Sequence, residues 1–334
     1  MSVATETAAA MPGRAMASDR TAALHAFRRS DAAFHWATRL SALAVLAMLG
    51  GIIVSLVIGA WPAISSFGFG FLTTSRWAPQ IDTPVMGALG PIYGTLLTST
   101  IAILIAVPVG LGIAVFLTEF CPIPLRRPIA MAIELLAGIP SIIYGMWGFF
   151  VLGPFLAEKF QPIMIATFGA IPVLGVVFAG PPGQLSLFNA ALILSIMILP
   201  FITAISRDVF ATVPPVLKEA AYGVGCTTWE VVRSIVIPYT RVGLIGGVML
   251  ALGRALGETM AVTFIIGNAF RISGSLFAPG TTISAAIASE FAESTGLHQS
   301  GLMLLGLLLF VLTFLVLTAA RLMLARIEKK EGAR

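Results

Sequence analysis

Two ionisable side chains of opposite sign lie four residues apart in an apolar run, Arg254 and Glu258 of GRALGETMAVTFIIGN (Gly253 to Asn268). On a helix, that spacing sets them on one face. A charge at the centre of a bilayer costs about 2.5–3.5 kcal/mol on insertion scales, so two in one span need a partner or a purpose. One reading is a mutually neutralising pair that fixes helix packing. The other is a polar lining in which the planar guanidinium of Arg254 attracts an oxyanion, while Glu258 holds Arg254 or accepts a hydrogen bond from the anion. Gly253 and Gly257 beside the pair would let a second helix or a substrate come close. A second set lies in ELLAGIPSIIYG, Glu134 to Gly145, where Gly138, Pro140 and Ser141 open the helix. Glu134 stands nearer the end of its apolar run, and for it a structural and a functional role are both open.

These residues must be held by membrane helices. The 334 residues are 58% hydrophobic and 10% charged, far from the balance of a soluble domain. Leu40 to Ala60 is uncharged and long enough to cross a bilayer, with Trp36 and Trp61 as interface anchors. It exceeds the usual core of a signal peptide and reads as a retained span, although a small-residue pattern at Ala60 keeps cleavage there as the alternative. Five more apolar segments follow: Pro91 to Leu117, Ile129 to Leu152, Leu187 to Ser206, Gly243 to Gly267 and Leu302 to Leu324. The expected fold is therefore all-α, a polytopic bundle of six transmembrane helices. Residues 1–35 read as a mobile cytoplasmic tail with room for a short interfacial helix, 36–326 as one transmembrane domain, and 327–334 as a short cytoplasmic tail.

Charge sets the orientation. Of the 20 Lys and Arg residues, sixteen fall on segments that share one side of this scheme, while Arg76, Lys159 and Arg271 fall on the other and Arg254 lies within a span. The positive-inside rule puts both termini in the cytoplasm. That distribution, more than a nucleic-acid partner, accounts for the net charge of +5. The apolar segment Ile163 to Phe178 is interrupted by Gly169, Pro172 and Gly175, and inserting it would invert every later span. It is expected to be re-entrant or interfacial.

Between the fourth and fifth spans, in the cytoplasmic loop 207–242, Lys218 to Pro238 is the one long amphipathic stretch. Glu219, Ala220 and Ala221 favour helix, Gly223 and Gly225 allow an elbow, and Thr227 with Glu230 has the spacing of a capping box. Pro238 is expected to stop this second helix. Two short helices carrying Lys218, Glu219, Glu230 and Arg233 would make a rigid projection for a soluble partner to grip. A generic cytoplasmic loop is the bland alternative.

The run Glu219-Ala220-Ala221, then Gly225, Ile235 and Ile237-Pro238, resembles the EAA motif of ABC importer permeases, with Ile237 where Leu is usual. In that family, the loop sits in a groove of an ATPase subunit and transmits its motion. The intact GRALGETMAV run with Asn268, ELLAGIPSIIYG, IYGTLLTS (Ile92 to Ser99) and Ser275 to Ser294 are similar to the phosphate-specific ABC transporter permease, PstC type. This resemblance covers most of the chain after about Leu40. It implies a type I ABC importer permease fold in a bacterial inner membrane and a pathway for inorganic phosphate lined by Arg254, Glu258, Asn268, Glu134 and Ser141. Hydrogen phosphate carries a proton at neutral pH that sulfate lacks, so an ionised Glu258 would favour the former.

The resemblance further implies a homologous A-type permease as partner, two ATPase subunits that bind ATP and Mg, and an extracytoplasmic phosphate-binding protein. In keeping with this, none of Lys159, Lys218, Lys329 and Lys330 follows the glycine of a phosphate-binding GxxxxGK[ST] loop, so no cofactor is expected in this chain. Cys121 and Cys226 suggest neither a disulfide framework nor a metal cluster. His25, His35 and His298 read as isolated. A stand-alone secondary anion transporter using Arg254 and Glu258, or an ABC permease for molybdate or sulfate, are the alternatives. The first leaves the docking stretch unexplained.

Overall fold

Glycine and proline decide where the apolar runs of this chain become separate helices. The computed structural model describes residues 13–80, 84–172 and 174–331. The expectations for residues 1–12, Val173 and the last three positions, including Arg334, lie outside the described residues. Helix α1 (Gly13–Phe67) begins well before its apolar part. Residues 13–35, expected as a tail with at most a short helix, are helical throughout, because their Ala and Arg content favours helix and no breaker separates them from the span. The described residues up to Ser55, from Gly13, form one compact unit, in which Leu43, Val45 and Met48 are exposed, as suits a helix surrounded by lipid.

The second unit, Leu56–Arg334, holds everything else. Helices α2 (Leu89–Phe120), α4 (Ser141–Phe168), α5 (Leu187–Ala211), α7 (Thr228–Leu256) and α10 (Gly296–Glu331), with α1, are the six helices long and apolar enough to span a membrane. Between them lie α3 (Ile123–Ala137), α6 (Pro215–Gly223), α8 (Met260–Ile266) and α9 (Ile283–Glu290). Among the described residues, the only extended pairing is a bridge between Ala78 and Val85.

Several expected limits move. The third span does not run over Ile129–Leu152, because Gly138 and Pro140 end α3 and start α4. Pro140 disfavours helical geometry in the residue before it, which makes this a boundary instead of a kink. The third membrane-length helix instead continues to Phe168, so Ile163–Phe168, expected outside the bundle, is its last part. At the other end of the chain, the expected C-terminal tail from residue 327 continues α10 as far as Glu331.

Small residues let the helices approach. A Cβ on Gly94 would lie 3.7 Å from Leu187, and one on Gly110 would lie 2.8 Å from Ile202. Contacts 16 residues apart on α2 thus meet contacts 15 apart on α5, so the two helices run parallel over roughly 23 Å at 1.5 Å per residue. Gly148 of α4 abuts Ile193 of α5 in the same way. The core between these helices contains Ala102, Ala106, Ile193, Leu194 and Ile198, with Ala251 and Ala255 from α7 and Val262 and Ile265 from α8. A second cluster, from Ala60 and Ala63 through Leu302 and Leu305, packs the end of α1 against α10. There, the Ser300 hydroxyl accepts the Ala63 N–H and donates to the Gly59 carbonyl.

Candidate functional site

The apolar run Gly243–Gly267 is not one helix. α7 ends at Leu256, Gly257 caps it, and α8 begins at Met260. Arg254 and Glu258 therefore do not share a helix face, contrary to the four-residue spacing, and no ion pair joins them among the described residues. The cause is local. A glycine ends one helix, and the acid after it has a better use in starting the next. Glu258 Oε1 accepts the Ala261 N–H at 3.3 Å, and its backbone carbonyl accepts a hydrogen bond from Ser284 Oγ at 2.6 Å. Arg254 is exposed in the last turn of α7, and Glu258 is half-buried.

The other end of α8 is equally specified. Gly267 has φ +91 and Asn268 φ +48, both left-handed. Glycine accepts this geometry without strain, and asparagine tolerates it better than most residues. A Cβ on Gly267 would also lie 2.7 Å from Pro279. Asn268 Oδ1 accepts from Thr281 Oγ1 and its Nδ2 donates to Ser289 Oγ, each at 2.9 Å. Glu258 and Asn268 thus bracket a seven-residue helix, and each is tied to the segment that carries α9.

Ser141 opens α4 directly after Pro140, and one turn on, a Cβ at Gly145 would lie 3.0 Å from Ala261. The start of α4 is thereby brought against the start of α8, beside Glu258. Glu134 is not part of this gathering. It stands on α3, outside the membrane-length helices, half-exposed, and its carboxylate meets Arg207 of α5 at 2.7 Å. Arg207 also holds Asp208 at 3.0 Å. The reading of Glu134 as a residue within a span is corrected by the break at Gly138.

The docking stretch folds into two helices with an elbow. α6 carries Lys218, Glu219, Ala220 and Ala221, and Gly225 turns the chain at φ +94. Thr227 caps α7 by accepting the Glu230 N–H, while Glu230 Oε2 accepts the Thr227 N–H at 2.7 Å and its hydroxyl at 2.8 Å. Pro238, expected to end this helix, does not. A π-helical turn over Val232–Val236 precedes it, and α7 runs through Pro238 into the fifth span. A wider turn accommodates the ring and the missing N–H. Ala221, Cys226 and Ile235 pack on a cluster of Phe210, Val213, Val231 and Val236, while Glu219, Ala220, Glu230 and Arg233 are exposed. So are Val216, Val224 and Trp229, at 70%, 87% and 60%, an unusual amount of apolar surface for a polar element.

Two features escaped the sequence reading. Lys218 Nζ meets Glu119 Oε1, at the end of α2, at 2.6 Å. They are 99 positions apart, and no local pattern announces this pair. His298, read as isolated, lies 2.9 Å from Glu290 Oε2, which also accepts the Trp77 indole N–H at 2.7 Å. Trp77 stacks on Phe270 at 4.7 Å, and the group lines a cleft of ≈ 550 Å3 together with Asn268 and Gln80. Both cysteines are free, and no group of three potential metal ligands occurs among the described residues.

A bundle of membrane-length helices interrupted at a charged break, with a capped and apolar-tipped projection between two of its spans, has the build of a membrane transport component. The chain belongs to the family described as binding-protein-dependent transport system inner membrane component, whose model matches residues 106–329. It is accordingly a multi-pass inner-membrane protein of the ABC importer permease class. It is 64% identical over 320 residues to a phosphate transport system permease protein PstC of Mesorhizobium japonicum, covering 96% of this chain and 97% of that one. It is 54% identical over 299 residues to a PstC protein of Pasteurella multocida, covering 90% and 93%. Among solved structures, a chain of the MetNI methionine ABC transporter in an inward-facing conformation matches with a TM-score of 0.50 at 18% identity, over 72% of this chain and 94% of that one. A chain of a bacterial ABC transporter involved in the import of the acidic polysaccharide alginate matches with a TM-score of 0.50 at 18% identity, over 85% and 95%. At that identity, both speak for the fold alone.

Proposed function

We propose that this chain is the C-type permease subunit of an ATP-driven importer that moves inorganic phosphate inward by alternating access. The observation that carries the substrate is the 64% identity, over nearly the full length of both chains, to a protein named as a phosphate transport permease. The pathway is formed at the break between α7 and α8. Arg254 supplies the fork of donors for an oxyanion. Its exposure in the single chain supports a second, homologous A-type permease that completes the lining, because a charge left facing lipid is costly. One Glu258 oxygen is engaged in capping α8. The other is assigned to the proton of hydrogen phosphate, which sulfate cannot supply.

Both termini are assigned to the cytoplasm by the distribution of Lys and Arg, which places the elbow at Gly225 on that side. Lys218, Glu219, Ala220, Ala221, Gly225, Glu230, Arg233, Ile235 and Pro238 form the docking element for an ATPase subunit, of which the assembly would hold two, each binding ATP and Mg. Exposed Val216, Val224 and Trp229 suit burial in a protein groove. ATP-driven closure of those subunits would displace the docking element and, with it, α5 and α7, turning the cavity from the binding-protein side to the cytoplasm.

The test is phosphate uptake by proteoliposomes containing this chain, the A-type permease and the ATPase, with the phosphate-binding protein outside. Wild type is compared with Glu219→Arg, with and without ATP inside. ATP-dependent uptake that the variant loses despite normal insertion is the expected result. Uptake by this chain alone, indifferent to ATP and to Glu219, would establish a secondary transporter instead.

A further inference from the structure

The docking element is joined covalently to only two spans, α5 before it and α7 after it, yet it grips a third. At the cytoplasmic end of α2, Glu119 lies in a π-helical turn, Phe116–Phe120, with its side chain only 6% exposed. A π turn accommodates one extra residue, which rotates the following side chains by roughly 100° relative to a regular helix. Glu119 meets Lys218 of α6 at 2.6 Å, and Lys218 is itself only 21% exposed. The same elements also share an apolar cluster, in which Leu111, Ala114 and Val115 of α2 pack with Phe210 and Val213 and with Ala221, Val231, Ile235 and Val236 of the docking element. Beyond it, Arg126 donates to the Cys121 carbonyl at 3.4 Å, across the turn that leads from α2 into α3. The joint between α2 and the docking element is therefore packed and polarised, not a loose loop contact.

We propose that Glu119 is a positioning residue for energy coupling. Through Lys218, it fastens α2 to the docking element, so that a push delivered there moves α2 together with α5 and α7. This rests on the proposed ATPase-coupled function. It adds a part that the docking motif does not contain, since Glu119 lies outside that motif and faces inward. α2 packs along α5 and carries Gly94 against the Thr281 carbonyl, next to the segment that holds Asn268 and Glu258. A tie at one end of α2 thus reaches the break at α8 through one continuous helix.

The readout is phosphate transported per ATP hydrolysed, in complexes purified through a tag on the ATPase so that only docked assemblies are measured. The variants are Glu119→Gln, Lys218→Gln and the exchanged pair Glu119→Lys with Lys218→Glu. Each single variant is expected to lower the ratio about tenfold, and the exchanged pair to return it to within about twofold of wild type, within the usual range of a coupling between sites. A single variant that assembles and keeps the wild-type ratio overturns the proposal, as does an exchanged pair no better than the singles. If Glu119→Gln fails to assemble, Lys218→Gln decides by the same criterion. Loss of ATP dependence in the wild type itself would overturn the transport reading, and this proposal with it.

Discussion

Replacing Gly94 with alanine puts a methyl group where there is no room. The added Cβ would lie 2.0 Å from the Thr281 carbonyl oxygen and 3.0 Å from its carbon. Both are backbone atoms, so no side chain can rotate away, and at least about 1 Å of displacement is needed to restore an ordinary contact. The neighbouring Thr95 hydroxyl accepts the Ile283 N–H at 2.9 Å, and Thr281 donates to Asn268, so the movement disturbs both bonds. Overpacking costs about 1–3 kcal/mol, and a strained hydrogen bond adds about 0.5–1.5 kcal/mol. Against this stands the roughly 1 kcal/mol that alanine gains over glycine within a helix. The net loss is about 0.5–3.5 kcal/mol. Gly112, on the same helix, has nothing within 4 Å of the place a methyl group would take, so Gly112→Ala should be neutral or gain up to about 1 kcal/mol. Denaturation in mixed detergent micelles, followed by circular dichroism, compares the two. If Gly94→Ala is as stable as Gly112→Ala, α2 does not approach the 281–283 segment this closely.

At Asn268, glycine keeps the left-handed backbone and loses two side-chain hydrogen bonds, at about 0.5–1.5 kcal/mol each, whereas alanine loses both and adds about 1–2 kcal/mol of backbone strain. Stability should therefore fall from wild type to Asn268→Gly to Asn268→Ala, and an alanine variant as stable as the glycine variant contradicts the strain argument. Trp77→Phe retains an aromatic ring against Phe270 but removes the donor to Glu290, which should cost about 0.5–1.5 kcal/mol in the same denaturation assay; no change would mean that this hydrogen bond adds no net stability over the one the indole makes to water in the unfolded chain. Glu134→Gln weakens a half-exposed pair with Arg207 and should cost less than about 1 kcal/mol, with uptake close to wild type. Glu258→Gln should reduce the preference for phosphate over sulfate, measured by competition in the uptake assay. A loss of uptake in Glu134→Gln equal to that in Glu258→Gln would return Glu134 to the pathway.

Much of this protein is local physics and therefore legible in its sequence. The number of spanning helices, six, and the place of four of them follow from apolar stretches of bilayer length, because a backbone in lipid has no other way to satisfy its own polar groups, while the third and fifth take other bounds than their stretches. The capping box at Thr227 and Glu230 and the elbow at Gly225 follow from residue types at fixed offsets, and the structure forms both. Where the local rules compete, spacing alone misleads. Arg254 and Glu258 suit one helix face by number, but Gly257 and the capping value of Glu258 favour a break. Pro238 signals a helix end, yet a π turn lets the helix pass through it. Only tertiary structure decides which distant groups meet. Glu119 with Lys218, Trp77 and His298 with Glu290, and Gly94 against the Thr281 carbonyl join residues about a hundred or more positions apart, except for His298, eight residues from Glu290 across the turn into α10. Hydrophobic period and caps depend on neighbours within a few residues, whereas these contacts depend on how whole helices dock, and no window along the chain contains both partners of the long-range pairs.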